Sequence, residues 1–332
     1  MVLTFVSSLY ATAATWRRSW YAHTPSRRKR LARRVISVGN LRVGGSGKTP
    51  TVEHIARVLL ANGKRPSILS RGYARREVTP GVTVVSTPDA VIASVDNAGD
   101  EPLMLARNLP GVPVVVSADR FLAGEYAEHE FGVDVHVLDD GFQHVMLERD
   151  VDLLLVSEED LNDRVLPAGW LRESLATAAY ADALLVTAGY AAAAERVGRA
   201  LNVERRFLVT RTIGPPRMIA TRDSVVVPSD DPVFAVAGIA KPERFFSDLG
   251  SAGWRVAGSL SFRDHHRYDA YDIERIAEEA TAVRASIILT TEKDAARLTP
   301  ADVRDLPLAS VPLTVSIDPA AEFERWLMGK IA

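Results

Sequence analysis

Val35-Ile36-Ser37-Val38-Gly39-Asn40-Leu41-Arg42-Val43-Gly44-Gly45-Ser46-Gly47-Lys48-Thr49-Pro50 is the stretch from which the rest of the chain can be read. Val35 to Val38 is a short run rich in β-branched residues, and it leads into a glycine-rich loop. Val52, Ile55, Ala56 and Leu59 then fall on one face of a helix that Asn62-Gly63 ends. Strand, loop and helix in that order are the setting that a phosphate-binding loop requires. Its glycines let successive backbone N–H groups converge on phosphate oxygens, and the helix N-terminus adds its dipole. Lys48 reaches the β- and γ-phosphates, and the Thr49 hydroxyl ligates Mg²⁺. Gly44, Gly45, Ser46, Gly47, Lys48 and Thr49 are therefore the candidate ATP ligands. The pattern departs at one point: Arg42 stands where the first glycine is usual, which leaves Gly44-Gly45 to make the tight turn. A glycine-rich turn with a chance Gly-Lys-Thr is the alternative, and both flanks argue against it.

A phosphate-binding loop needs a carboxylate at the end of a neighbouring buried strand, to hold Mg²⁺ or its waters. Val133, Val135, Val137 and Leu138 alternate as a strand that ends in Asp139-Asp140-Gly141-Phe142-Gln143-His144. The pair alone would suit a solvated strand end with an Asp-Gly turn. Coupled to the upstream loop, Thr49, Asp139 and Asp140 become the candidate metal ligands.

Apolar runs at 67–69, 113–116, 133–138, 151–156 and 183–186 alternate with helical stretches. This predicts an α/β fold of P-loop NTPase type, with a mostly parallel sheet sandwiched by helices. The polar stretch 221–231 reads as a connection. Beyond it, runs at 233–239, 254–260 and 286–289 alternate with helices at 242–252 and 270–284, a second, smaller α/β unit. The expected divisions are 1–34, 35–220 and 221–332.

The whole chain has 332 residues, 47% hydrophobic and 25% charged, with a formal net charge of -2. That near-neutrality hides an asymmetry. No acid precedes Glu53, while Arg17, Arg18, Arg27, Arg28, Lys29, Arg30, Arg33 and Arg34 crowd the start, a segment suited to anionic surfaces. The uncharged stretch before Arg17 is too short to span a bilayer. Its positive charges follow the apolar residues instead of preceding them, which argues against a secretory signal. As a helix it places Val2, Phe5, Val6, Leu9, Ala13, Trp16 and Trp20 on one face and Thr4, Ser7, Ser8, Thr12 and Arg18 on the other. Such a helix can lie in the headgroup layer of a membrane, or dock on the protein's own core. Zero cysteines exclude a disulfide framework and fit an intracellular protein.

Further polar signals sit at predicted strand ends and helix starts. They are Ser70-Arg71-Gly72-Tyr73, Gly99-Asp100-Glu101-Pro102, Leu166-Pro167-Ala168-Gly169-Trp170-Leu171-Arg172-Glu173, 238–245, Asp264-His265-His266 and Thr291-Glu292-Lys293-Asp294. Taken singly, Arg71 suits a surface ion pair and Asp100 a helix cap. Together with the loop and the Asp-Asp turn, their order and spacing resemble the lipid A 4'-kinase family of Gram-negative bacteria over nearly the whole chain. That family usually has Gly-Asn where this chain has Ala240-Lys241, and Gly where Ala74 stands.

The resemblance implies transfer of the ATP γ-phosphate to the 4'-hydroxyl of a tetraacyldisaccharide 1-phosphate, giving lipid IVA at the cytoplasmic face of the inner membrane. It implies a lipid-linked disaccharide and an anionic membrane surface as partners, the protein being peripheral. It makes Asp100 the base that takes the sugar hydroxyl proton, with a histidine of Asp264-His265-His266 orienting it, His265 being favoured over His266. Arg71, Arg120 and Arg172 become candidates for the substrate's phosphate or sugar oxygens, since a guanidinium fork suits them. If His265 meets Asp100, the site lies between the two units, and their closure would exclude water. The role of Thr291-Glu292-Lys293-Asp294 stays open.

Three other readings are weighed. A membrane-recruited switch or partition ATPase shares the loop and the anchor, but carries a lysine where this chain has Val43. A kinase of another hydroxyl is compatible with the same residues. Nucleic-acid binding through the basic segment lacks contact motifs elsewhere, so no nucleic-acid partner is expected.

Overall fold

The computed structural model describes residues 2–45, 47–78, 80–228 and 230–332. In chain order, the first half comprises α1 (Val2–His23), β1 (Arg34–Asn40), α2 (Lys48–Ala61), β2 (Pro66–Ser70), β3 (Thr83–Ser86), α3 (Val95–Ala98), α4 (Asp100–Asn108), β4 (Val114–Val116), α5 (Arg120–Phe131), β5 (Val135–Asp139), β6 (Val151–Val156), β7 (Ala183–Thr187), α6 (Ala191–Leu201) and β8 (Arg206–Ile213). There follow β9 (Arg217–Met218), β10 (Pro232–Ala237), α7 (Pro242–Ser251), β11 (Arg255–Ser261), α8 (Ala270–Ala282), β12 (Ile287–Thr291), α9 (Glu292–Ala295), β13 (Leu308–Val311), β14 (Leu313–Asp318) and α10 (Ala320–Ile331).

The nine-stranded sheet runs β14-β8-β7-β6-β1-β5-β2-β4-β3. Its interior strands are parallel, and β3 and β14 close the two edges antiparallel. Strands β1, β5 and β6 are near-continuous apolar runs because helices cover both faces. Ile36, Val38, Ile55, Leu59, Leu105, Val137 and Phe323 fill one face. Leu69, Val115, Ala123 and Leu138 lie on the other, beside a cluster of Leu154, Leu184 and Val197. Since β1 lies between β5 and β6, the chain changes winding direction there, and a crevice opens beyond the strands' C-terminal ends. Val38 pairs with Asp139 in register, so the phosphate-binding loop and the Asp-Asp turn leave the sheet side by side.

A second sheet, β11-β10-β12-β13-β9, is parallel except for β9 at its edge. Sheet membership differs from the expected division at 221. Arg217–Met218 already belong to the second sheet, while β14 returns to pair with β8 of the first, and α10 packs Phe323 and Leu327 into its core. An edge strand that pairs antiparallel with a distant partner leaves no local sequence signal, which is why the return is not visible from periodicity.

Helix α1 follows the faces read from sequence in part: Ser8 and Thr12 of the polar face are exposed, and the side chains of Val2 and Thr4 lie outside the described residues. Ser7 and Arg18 are buried against the body, 7% and 3% exposed, while Phe5 and Trp16 stand 66% and 68% exposed. Leu3, Val6, Leu9, Tyr10 and Trp20 also face outward. Among the described residues no helix is long and apolar enough to cross a membrane.

Candidate active site

The loop between β1 and α2 is held open by left-handed backbone at Gly44 (φ +101°) and Gly47 (φ +87°), a conformation that side chains beyond glycine disfavour. Ser46 lies outside the described residues, so its predicted contact has no counterpart here. Lys48 heads α2 and donates to Asn40 Oδ1 at 3.0 Å, with Asp140 Oδ1 at 3.6 Å. Thr49 is buried beside it. Arg42, at the departure from the usual motif, lies near Glu159, Asp160 and Asp163 at 3.5–3.7 Å.

Asp139 and Asp140 share a turn but not an electrostatic fate. Burial, reinforced by Glu101 and Asp140, pushes the Asp139 carboxyl up to about 7. Burial also opposes ionisation of Asp140, but Lys48 and Arg172 outweigh it and hold that carboxyl below its ordinary value. Asp139 Oδ1 and Asp140 Oδ1 are both buried without a hydrogen-bond partner. Surplus buried negative charge with orphaned oxygens fits a divalent cation. Among the described residues no group of three or more His, Asp or Glu could hold a metal by itself. Asp139, Asp140 and Thr49 would therefore hold Mg²⁺ with the help of phosphate oxygens.

Asp100 is the first residue of α4, after Gly99, and its Oδ1 accepts from Glu101 N in the first turn at 2.9 Å. Its Oδ2 lies 2.8 Å from His265 Nδ1 and 3.1 Å from Arg297 Nε, the latter an ion pair without hydrogen-bond alignment. Lys293 Nζ lies 3.4 Å from His265 Nε2, 3.3 Å from Glu101 and 3.4 Å from Asp264. Lysine carries only donors, so this network assigns the imidazole proton to Nδ1, which donates to Asp100. Burial pushes the Asp100 carboxyl up, but the His265 hydrogen bond and the charges of Lys293 and Arg297 outweigh it, leaving it below the usual range. Burial likewise works against the Lys293 charge, and Glu101, Asp100 and Asp264 outweigh it. His265 sits at φ +58° and Asp140 at φ +56°, backbone conformations that surrounding structure must impose. Tyr73 packs its ring 5.3 Å from that of His265.

The three candidate arginines differ in their surroundings. Arg172 donates to Asp140 Oδ2 at 2.7 Å. Arg120 is buried, its Nε without a hydrogen-bond partner, and burial together with nearby Arg71 lowers it to about 10. Arg71 is exposed at the same spot.

The family model for tetraacyldisaccharide-1-P 4'-kinase matches residues 1–332. The chain belongs to this 4'-kinase family. The tetraacyldisaccharide 4'-kinase of Syntrophus aciditrophicus is 35% identical over 345 residues, covering 99% of this chain and 92% of that protein. That of Desulfotalea psychrophila is 39% identical over 315 residues, covering 92% and 89%. The crystal structure of LpxK from Aquifex aeolicus in complex with ATP has a TM-score of 0.79 at 32% identity, over 98% of each chain.

Several residues of this 4'-kinase escaped the sequence reading. Arg297 had no signal at all. Lys293 lay in a motif whose role was open: Thr291 and Asp294 hydrogen-bond to each other at α9, Asp294 also accepts from Gly238 N and Tyr268, and this fixes the turn that presents Lys293. Lys241 and Arg244 line a cavity of about 230 Å³ with Gly44, Gly45, Ser157 and Tyr190. The family's usual Asn is thus replaced by a cation beside the phosphate-binding loop, a place that loop composition does not reveal. Ala74 adopts φ +61°, the conformation for which the family's usual Gly is suited.

Proposed function

We propose that the chain performs its family's reaction with the parts described above, passing the γ-phosphoryl group of ATP to the 4'-hydroxyl of a tetraacyldisaccharide 1-phosphate. The observation that carries this reading is the 2.8 Å contact between Asp100 and His265, which brings the second unit against the edge where the phosphate-binding loop and metal acids emerge. ATP phosphates lie in the loop from Gly44 to Thr49, and Lys48 draws charge from the transferring group. Thr49, Asp139 and Asp140 would hold Mg²⁺, which when bound would neutralise charge on the phosphate oxygens.

Asp100 accepts the 4'-hydroxyl proton. A carboxylate held below its usual pKa is a weak base, yet in a loose phosphoryl-transfer transition state the hydroxyl surrenders its proton late, so orientation counts more than basicity. His265, Lys293 and Arg297 provide that orientation. Arg71 and Arg120 receive a phosphate of the substrate. Exclusion of water between the two sheets limits hydrolysis of ATP.

The outward apolar face of α1, with the basic segment behind it, suits a peripheral position on an anionic membrane surface, which we place on the cytoplasmic side. Incubating the protein with γ-labelled ATP and tetraacyldisaccharide 1-phosphate should give a labelled lipid. Folded protein that hydrolyses ATP without labelling the lipid would overturn the reading. Leu9→Ser with Trp16→Ser should loosen the protein from vesicles containing phosphatidylglycerol, and unchanged binding would refute the anchor.

A further inference from the structure

We propose that Arg18 is a positioning residue for the metal-binding acids, which makes α1 part of the catalytic apparatus as well as the element that meets the membrane. The inference rests on the assignment of Asp139 and Asp140 as metal ligands.

Arg18 differs from the other cations of the N-terminal segment in being almost wholly buried. Its Nε and Nη2 fork onto the Glu173 carboxylate at 2.8 and 3.1 Å, and Nη2 also donates to the Phe142 carbonyl at 2.7 Å. The guanidinium lies 4.0 Å from the centre of the Phe142 ring. Taking a guanidinium out of water is costly, and such satisfaction of its donors offsets that cost. Binding a membrane calls for none of this, because the opposite face of α1 meets the lipid.

Two covalent paths lead from these contacts to the same carboxylate. Phe142 follows Asp139-Asp140-Gly141 directly. It rests on β1, where a Cβ on Gly39 would fall 2.5 Å from Phe142 Cβ, and Gly141 N donates to the Val38 carbonyl at 3.0 Å. Arg18 therefore presses the Asp-Asp turn onto the strand that feeds the phosphate-binding loop. Along the other path, Glu173 adjoins Arg172, whose guanidinium holds Asp140 at 2.7 Å. The backbone of this second segment is laced to the loop as well: Arg172 N donates to Leu41 O at 2.6 Å and Val43 N donates to Trp170 O at 2.8 Å. Arg17 adds a bond to the Gln143 carbonyl at 3.2 Å, and the Gln143 amide donates to Asn40 O at 2.9 Å. Loss of the Arg18 guanidinium frees both the turn and Arg172, so Asp140 loses its fixed orientation. A carboxylate that must find its geometry binds a cation more weakly.

The test uses the full chain with Arg18→Gln and Arg18→Lys. Three quantities are read: binding to phosphatidylglycerol vesicles, kcat against the acceptor KM, and binding of a fluorescent ATP analogue as Mg²⁺ is titrated. Arg18→Gln should keep vesicle binding and acceptor KM within about twofold of wild type. It should lower kcat about tenfold or more and raise the half-saturating Mg²⁺ concentration by a similar factor. Arg18→Lys, which keeps the charge but not the fork, should recover part of both. Unchanged kcat and Mg²⁺ dependence, with weaker vesicle binding or higher acceptor KM, would overturn the proposal. If Arg18→Gln does not fold, Glu173→Gln and Arg18→Lys are read by the same criteria. Wild-type nucleotide binding that is indifferent to Mg²⁺ would refute the metal assignment itself, before any Arg18 variant is compared.

Discussion

His265 Nδ1 lies 2.8 Å from Asp100 Oδ2 across 165 residues of sequence, and the two come from opposite sides of the boundary between the sheets. Asp100 opens α4, which packs on β3 and β4, while His265 follows β11. Arg297, 2% exposed, lies 3.1 Å from the same carboxylate oxygen, so Asp100 has a buried cation as well as the imidazole beside it.

Asp100→Asn keeps the shape and removes the proposed acceptor of the hydroxyl proton. Phosphoryl transfer should fall by roughly 10² to 10⁴, with nucleotide affinity nearly unchanged. His265→Ala should slow transfer too, but add little in the Asp100→Asn background, since groups acting as one unit are not additive. Single-turnover rates on the three variants check this, and additive losses would contradict the dyad.

Stability should carry a pH signature from the same carboxylate. Its folded pKa lies below the unfolded value of about 3.9, so the stabilisation it provides is present above that value and is lost as pH falls through the folded pKa. Asp100→Asn also removes one of the two carboxylates beside Arg297, leaving Asp294 at 3.3 Å, while Lys293 keeps Glu101 and Asp264. The stability difference between wild type and Asp100→Asn in urea should hence be flat from pH 5 to 7 and shrink below pH 4. A difference that shrinks on raising pH from 5 to 7 would contradict it.

Lys48 and Arg244 approach the phosphate-binding loop from opposite units and should separate kinetically. Lys48→Ala should lower kcat by orders of magnitude in a folded protein, because its contact strengthens at the transferring group. Arg244, which forms no ion pair among the described residues, lines the cavity beside Gly44 and Gly45. Its replacement by Ala should raise the KM for ATP about tenfold, the worth of one charge-assisted contact, with kcat changing much less. Steady-state kinetics at varied ATP decide both.

Ala74→Gly should stabilise the protein by about 0.5–1 kcal/mol. The left-handed φ of +61° costs an alanine on the order of 1–2 kcal/mol, which exceeds the added chain entropy of glycine in the unfolded state. Thermal melts of the two proteins measure it, and a lower melting temperature would show that the loop is not strained.

Sequence alone determined whatever a contiguous segment can build. A phosphate is bound by successive backbone N–H groups, so strand, glycine loop and helix appear together between Val35 and Leu59. Asp139 and Asp140 stand out because period-two alternation ends on them. Amphipathic spacing sorted α1 into two faces, but spacing states only which residues lie together, not whether a face meets core or solvent. Tertiary structure decided that Ser7 and Arg18 dock while Phe5 and Trp16 face outward. It likewise decided that Lys293 and Arg297 surround Asp100 and that β14 returns to the first sheet. Charged residues on helices read as solvated, and edge pairing leaves no local period. Such residues acquire meaning only through partners more than a hundred positions away, since burial makes an ion pair matter and folding alone creates burial.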